Sequence, residues 1–503
     1  MSSSEHKSLW PEDQHNLELL SHVHPSDYVN PTPNGRYNLV VIGGGTAGLV
    51  TAVGAAGLGA KVALIEKNLL GGDCLNVGCV PSKALLRSAR AAYEIKSAKE
   101  FGLNVPSYDV DFSSVMERVR KLRAQISPVD GVKSLTEKGV DVYLGKGKFV
   151  DSSTIEVADR KLTFSRAVIA TGARATLPKI PGIEEVEPLT NETLFNLTEL
   201  PKRLAIIGAG PIGAEMAQAF ARLGSAVTIF DIQNRFLPNE DRDASNIVQS
   251  SLEQDGVTFS LGIKNLRFSR NGSEKIVSCE TNGLPCSSPF DQILIAAGRT
   301  PNVEHMNLDK VHVETNSDGV KVNSHLRTTN PHIFACGDVC SKFKYTHAAD
   351  ALARIVIGNA LFFGSAKASD LNIPWATYTD PELAHVGVFP DSEEGKNFQS
   401  IRLDLAEVDR AILDGAASGF IKISHDRRGQ IKGATIVGSH AGELIGEIVV
   451  AMNHNVSLSK LASDIHPYPT QSEIIKKCGD LYRRTLLTPA TARLLSKFLK
   501  WRR

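Results

Sequence analysis

Cys74 and Cys79 are separated by four residues in GGDCLNVGCVPSK (71–83), a spacing that lets one thiolate attack an acceptor while the other resolves the mixed disulfide. Pro81, two residues after Cys79, marks the first turn of a helix. A helix N-terminus stabilises a thiolate and lowers the thiol's pKa. Cys79 is therefore expected to hold the anion, and Cys74, on a preceding irregular loop, to face a substrate. A structural zinc needs four ligands where C-x4-C supplies two, and an inert disulfide is rare in a cytosolic enzyme. Both remain weaker readings than redox exchange.

The elements that must position this pair are written twice. YNLVVIGGGTAGLVTAVGAAGLGAKVALIE combines an apolar strand, a glycine turn, a small-residue helix, a second strand and a closing acid. The same order returns in RLAIIGAGPIGAEMAQAFARLGSAVTIFD, where Gly208, Gly210 and Gly213 follow Gly43, Gly45 and Gly48 by 165 residues. Each G-x-G-x-x-G opens a helix and precedes an acid, Glu66 or Asp231, by 18 residues. That context fits a dinucleotide pyrophosphate at the helix N-terminus and a ribose hydroxyl on the acid. The cysteine segment follows the first ribose acid, where a bound dinucleotide's reactive ring would lie. Asp231 suits a free 2′-hydroxyl and repels a 2′-phosphate, so NADH is expected, with NADPH as the alternative should Arg235 turn toward a phosphate.

Short apolar strands ending in glycine turns, AVIATGAR (167–174) and QILIAAGRTP (292–301), close the two units; ACGDV ends another strand before THAADALARIVIGNALF. Past residue 372 the pattern changes to strands and helices without glycine fingerprints. The expected fold is α/β, with two Rossmann-like dinucleotide-binding domains and an α+β C-terminal domain. Its expected parts are an arm (1–36), a first domain in two pieces (37–186 and 299–371), a second nucleotide domain (187–298) and the C-terminal domain (372–503). The polar arm has four prolines and no sustained periodicity, which reads as an arm lying on the surface or partly disordered.

The 503 residues are 42% hydrophobic and 22% charged with a net charge of +1. This is ordinary globular composition, without the field that captures nucleic acid, and no nucleic-acid partner is expected. Seven cysteines, mostly scattered, and an N-terminus without a signal-peptide pattern point to the cytoplasm. The uncharged run 39–60 contains seven glycines and is read as strand, turn and buried helix.

The order of first fingerprint, C-L-N-V-G-C-V-P-S-K, second fingerprint, ACGD and C-terminal domain resembles the class I pyridine nucleotide–disulfide oxidoreductases over about residues 36–484. The resemblance implies FAD on the first unit, NAD(P)H on the second, and a homodimer in which the C-terminal domain completes the partner's active site. It implies that Lys83 sits near the flavin N5 and pairs with Glu215, and that Asp338 bonds the flavin's sugar-alcohol chain. The N–H groups of Thr346, His347 and Ala348 would stabilise negative charge on the reduced ring. Gly147, Thr171, Gly172, Gly298 and Arg299 are further cofactor contacts in the same comparison.

Disulfide-reducing members of this family end in H-P-T-x-x-E, where the His exchanges protons with the thiols. Here the segment reads Y-P-T-Q-S-E: Tyr468 takes the His position and Glu473 is retained. A phenol of reference pKa near 10 is far from a useful proton exchanger at neutral pH. His466 is the weaker substitute, because Pro467 intervenes. A tyrosine here resembles the mercuric reductases, and so does VDRAILDGAASGFIKI through HAGELIGE. Yet a C-terminal vicinal cysteine pair and an N-terminal C-x-x-C domain are missing, and Asp73 stands where many members have threonine.

The expected function is electron transfer from NAD(P)H through FAD and Cys74/Cys79 to a thiophilic acceptor, Hg(II) or a related metal–thiolate. The alternatives are a dihydrolipoyl dehydrogenase or other small-disulfide reductase and, in a different class, a flavoprotein that donates electrons to a quinone, oxygen or a membrane partner. Cys279, Cys286, Cys336 and Cys340 are expected to serve packing or to lie at the surface by chance, Cys478 is expected to be a buried helix residue and not a ligand, and no resident metal site is expected. TPATARLLSKFLKWRR is expected to be a basic helix docked on its own domain or on the partner subunit; contact with a membrane surface is the second reading.

Overall fold

The computed structural model describes residues 9–503, and the first eight residues of the expected arm lie outside the described residues. The chain divides into two compact units, one from residues up to 234 and 257–371, the other from 235–256 and 372–503.

In the first unit, strand Tyr37–Ile42 sits between parallel neighbours Val62–Glu66 and Arg160–Ile169, with Val140–Leu144 beyond Val62–Glu66. Leu39 and Val41 enter one core while Tyr37, Val40 and Ile42 enter the other. A strand covered on both faces reads as a continuous apolar run rather than an alternating one, which explains YNLVVI. The first face carries helix Thr46–Gly57 and helix Thr346–Leu361. Strand Ile333–Ala335 returns to this sheet, parallel to Arg160–Ile169, so residues after 299 rejoin the first nucleotide fold.

The second fingerprint builds a separate parallel sheet in the order Thr258–Leu261, Ala226–Asp231, Arg203–Ile207, Gln292–Ile295. An antiparallel sheet of Lys264–Asn271, Glu274–Thr281 and Leu284–Phe290 accompanies it.

The arm differs from its expectation. Residues Gln14–Val23 form a helix capped by Asp13, whose side chain accepts from Asn16 N at 2.9 Å, and Leu19 and Val23 are fully buried. Its apolar positions Leu17, Leu19, Leu20 and Val23 do not stand out as a period among polar residues, Leu17 being exposed, but Leu19, Leu20 and Val23 suffice to seat three turns on a core. Arg120 pairs with Asp13, and the buried Arg123 donates to Asn16 Oδ1 at 2.8 Å.

The second unit is a five-stranded antiparallel sheet in the order Trp375–Thr377, Glu382–Gly387, Ile431–Gly438, Phe420–His425, Gln399–Asp404. Helices Ala441–Asn453 and Glu473–Thr485 pack on it through Ile445, Ile448, Ile474, Ile475 and the buried Cys478. Helix Arg242–Gln254 belongs to this unit; its N-cap Asp241 is ion-paired with Lys422 at 2.6 Å. Among the described residues no helix is long and apolar enough to cross a membrane.

Candidate active site

The two glycine turns share one backbone geometry. Gly43 and Gly208 have φ of +111° and +118°, and a Cβ at either would meet a backbone oxygen, of Ala170 or Ala296, at 2.3 or 2.4 Å. Only glycine fits such a position. The closing acids repeat as well. Glu66 accepts from Gly44 N at 2.6 Å and Asn68 N at 2.7 Å, and Asp231 from Ala209 N at 2.6 Å and Gln233 N at 2.7 Å. Each carboxylate thus ties its strand end to its own glycine turn.

The local structure fits a dinucleotide at both turns. Gly45 and Gly210 cap helices of 12 residues without a side-chain cap, so their first N–H groups are available to an anion. A Cβ at Gly210 would meet nothing within 4 Å, which leaves room for a phosphate. Gly147 opens strand Gly147–Asp151 beneath Ile65, and the neighbouring Gly145 N donates to Glu66 O at 2.8 Å. Gly147 therefore lies beside the strand end that carries Glu66.

Cys79 is the first residue of helix Cys79–Ser97. Cys74 sits not on an irregular loop but in a short helix, Gly72–Asn76, entered through left-handed Gly71. Both are free thiols, Cys79 exposed and Cys74 partly so. The Cys79 thiol is lowered to about 6, chiefly by a hydrogen bond from Cys74, with Thr346 and the Lys83 charge acting in the same direction against burial and Glu215. That same bond, together with burial, pushes Cys74 up. The pair therefore divides into a thiolate at Cys79 and a protonated thiol at Cys74, as nucleophile chemistry at a helix start requires.

Around this pair Thr346 Oγ1 lies 3.2 Å from Cys79 Sγ. Lys83, one turn along the same helix, donates to buried Glu215 at 2.8 Å, joining the cysteine helix to the second fingerprint helix Pro211–Arg222. Thr346 opens the helix Thr346–Leu361 that also contains His347 and Ala348; His347 stacks on Tyr345 with ring centroids 5.5 Å apart. Asn76 closes the short cysteine helix, and its carbonyl accepts from Arg123 at 2.7 Å. The arm's Asn16, through Arg123, thus reaches the redox segment.

Asp73 pairs with Arg299, whose Nε lies 3.6 Å from Asp338 Oδ2. Burial pushes the Asp338 carboxyl up, with Arg299 opposing it. Arg299 begins the short strand Arg299–Pro301 paired with Ala173–Ala175, directly after Gly298. Thr171 donates to Asn302 O at 2.6 Å and Gly172 O accepts from Asn302 N at 2.9 Å. These residues knit the two glycine-ended strands behind the cysteine segment.

Tyr468 and Glu473 belong to the second unit. The Tyr468 hydroxyl donates to Asp409 at 2.8 Å, and this acceptor holds the phenol above its usual range. Glu473 starts its helix with Oε1 3.7 Å from Lys477 Nζ, and its buried Oε2 has no hydrogen-bond partner. His466 is half-buried and bonded to Glu447 at 3.0 Å. Asp409 was not singled out in the sequence; it lies 59 residues from its tyrosine, and only the fold brings them together. Arg235 donates to the carbonyls of Pro238 and Glu240.

One cysteine expectation is corrected. Cys279 and Cys286 are joined in a disulfide with Cα atoms 5.3 Å apart, directly opposed in a hairpin. The signal was present in Asn282-Gly283, both at positive φ, the favoured two-residue hairpin turn; pairing outward from that turn sets 279 opposite 286. Cys336 is buried and Cys340 partly so.

Residues 37–353 match the family model described as pyridine nucleotide-disulphide oxidoreductase, and 373–478 match its dimerisation domain. A mercuric reductase of Lysinibacillus sphaericus is 35% identical over 446 residues, covering 88% of this chain and 82% of that protein. A dihydrolipoyl dehydrogenase of Bacillus subtilis (strain 168) is 31% identical over 461 residues, covering 88% and 96%. Among solved structures, the Cu(II) complex of the HOCl-induced flavoprotein disulfide reductase RclA from Escherichia coli superposes with a TM-score of 0.78 at 28% identity, covering 89% of this chain and all of that one. The chain therefore belongs to the class I pyridine nucleotide-disulphide oxidoreductase family, as an FAD-dependent NAD(P)H oxidoreductase with a redox-active disulfide.

Proposed function

We propose that this enzyme oxidises NADH and delivers the electrons through Cys74 and Cys79 to a thiophilic acceptor, Hg(II) or a related metal–thiolate. The observation that carries the acceptor is Tyr468: its hydroxyl is engaged by Asp409 and its pKa is raised, so it is a ligand or hydrogen-bond donor and not a proton exchanger near neutral pH. A soft metal held by thiolates needs no proton delivered to a leaving thiol. The 35% identity to a mercuric reductase supports the same reading.

FAD, which the first glycine turn and Glu66 would hold, would supply two-electron relay chemistry between the nicotinamide and sulfur. The protein's own residues do the rest. Cys79 holds the anion, Cys74 exchanges with the acceptor, and Lys83 with Glu215 fixes the charge beside the thiolate. Asp231, held by two backbone N–H groups, favours NADH over NADPH because a fixed carboxylate repels a 2′-phosphate. The match to a dimerisation domain supports a homodimer in which Tyr468 and Glu473 serve the partner's cysteines. A cytoplasmic location, where NAD(P)H is at hand to re-reduce the pair, belongs to this reading.

A second reading, reduction of a small disulfide such as lipoamide, is favoured by one observation. His466 forms an imidazole–carboxylate pair with Glu447 at 3.0 Å, the chemistry a proton exchanger requires. NADH-dependent turnover with Hg(II) in excess thiol, with lipoamide and with oxidised glutathione separates the two. Fast Hg(II) turnover with slow disulfide turnover is expected; fast lipoamide turnover that His466→Gln abolishes would establish the second reading instead.

A further inference from the structure

We propose that the C-terminal helix Pro489–Trp501 docks this enzyme on the surface of an anionic lipid bilayer. The helix is well specified: Pro489 stands at its first position and Thr488 caps it, accepting from Thr491 N at 3.2 Å. Yet none of its residues is buried, so it is not docked on its own domain, the first of the two placements expected from the sequence, the other being the partner subunit. Leu494, Leu495, Phe498, Leu499 and Trp501 remain between 49% and 80% exposed, and Leu486 and Leu487 in front of the helix are also about half exposed. Large apolar side chains gathered on one element mark an interaction surface.

Their arrangement selects the partner. At about 100° per residue the five apolar side chains span an arc of about 160°, and Arg493, Lys497 and Lys500 occupy the opposite side. Between residues 481 and 503 there are seven Arg and Lys and no Asp or Glu. This combination suits a helix lying in the headgroup plane, with its aromatic and leucine face in the acyl boundary and its cations against anionic lipid. A second copy of the helix is the poorer occupant, because it would cover the apolar face but offer no anion to these cations, whereas anionic lipid supplies both. At 13 residues the helix is too short to span a bilayer. The inference holds whichever acceptor the cysteines serve.

Flotation of the full-length, FAD-loaded enzyme with vesicles of phosphatidylcholine alone or mixed with phosphatidylglycerol tests this. The enzyme is expected to float with the mixed vesicles and roughly tenfold less with phosphatidylcholine alone or in about 1 M salt. The double variant Leu495→Glu/Phe498→Glu is expected to lose flotation by about tenfold or more while keeping its flavin, its NADH turnover and its oligomeric size. Lys497→Glu/Lys500→Glu should lose only the preference for anionic vesicles. Absence of flotation with the mixed vesicles, or equal flotation with both, overturns the proposal. A change of oligomeric size in Leu495→Glu/Phe498→Glu also overturns it, by assigning the face to a second copy.

Discussion

Thr346 Oγ1 lies 3.2 Å from Cys79 Sγ, although the two residues are 267 positions apart. A hydroxyl at the start of one helix thereby supports a thiolate at the start of another, and this bond helps to lower the Cys79 pKa to about 6. Thr346→Val keeps the shape and removes the donor. Since a hydrogen bond to a charged group contributes about 1.5–3 kcal/mol, the Cys79 pKa is expected to rise by about one to two units. The pH dependence of iodoacetamide labelling at Cys79, followed by peptide mass spectrometry, measures it; an unchanged midpoint contradicts the role.

The neighbours Lys83 and Glu215 act on the same thiol with opposite signs, the ammonium lowering and the carboxylate raising its pKa. Lys83→Met should therefore move the labelling midpoint up, and Glu215→Gln should move it down. Because the thiolate is present above the midpoint, labelling at pH 6 should slow in the first variant and quicken in the second. Shifts in the same direction would show that the pair affects Cys79 through packing and not through charge.

Asn16 and Arg123 connect the arm to the cysteine segment through the Asn76 carbonyl. Arg123 is fully buried, so Asn16→Ala strands a guanidinium N–H and should cost about 1–3 kcal/mol. Urea unfolding measures the loss, and hydrogen exchange should show the added opening at residues 72–78. An Asn16→Ala protein as stable as the parent would mean that the arm is not a structural part of the site.

Asp73 and Arg299 form an ion pair in which the arginine is mostly buried and the aspartate is 41% exposed. Asp73→Asn should cost about 1 kcal/mol once solvent screening is allowed for. Arg299→Met should cost more, since it also takes the guanidinium from the buried Asp338 and leaves Lys344 as its remaining cation. Thermal unfolding of the two variants checks the order.

Features set by local periodicity and turn chemistry were legible in the sequence. The twin fingerprints, the acids 18 residues beyond them, the helix start at Cys79 and the apolar strands all follow from short-range rules, and the structure has them in place. Contacts that depend on chain segments meeting from afar were not. Neither the Thr346 hydroxyl beside Cys79 nor Asp409 beneath Tyr468 leaves a trace in spacing, because each partner is an ordinary polar residue until the fold supplies its neighbour. The arm helix was missed for a different reason: its stability comes from burying Leu19 and Val23 and from capping by Asp13, while prolines on both sides gave it the look of a loop. The hairpin disulfide was readable from Asn282-Gly283, but only by counting pairs outward from the turn.

We propose that Cys79 is the thiolate that faces the flavin and Cys74 the thiol that exchanges with the acceptor. Absorbance spectra of the flavin-loaded Cys74→Ser and Cys79→Ser enzymes, recorded with and without NADH, test it most directly. Cys74→Ser retains the anion and should display a long-wavelength band without any reductant, disappearing as the pH is lowered through the Cys79 midpoint. Cys79→Ser should bind FAD yet show no such band under any condition. A band that survives in Cys79→Ser and is lost in Cys74→Ser would reverse the two roles; spectra unaffected by either substitution would contradict the placement of the pair beside the flavin.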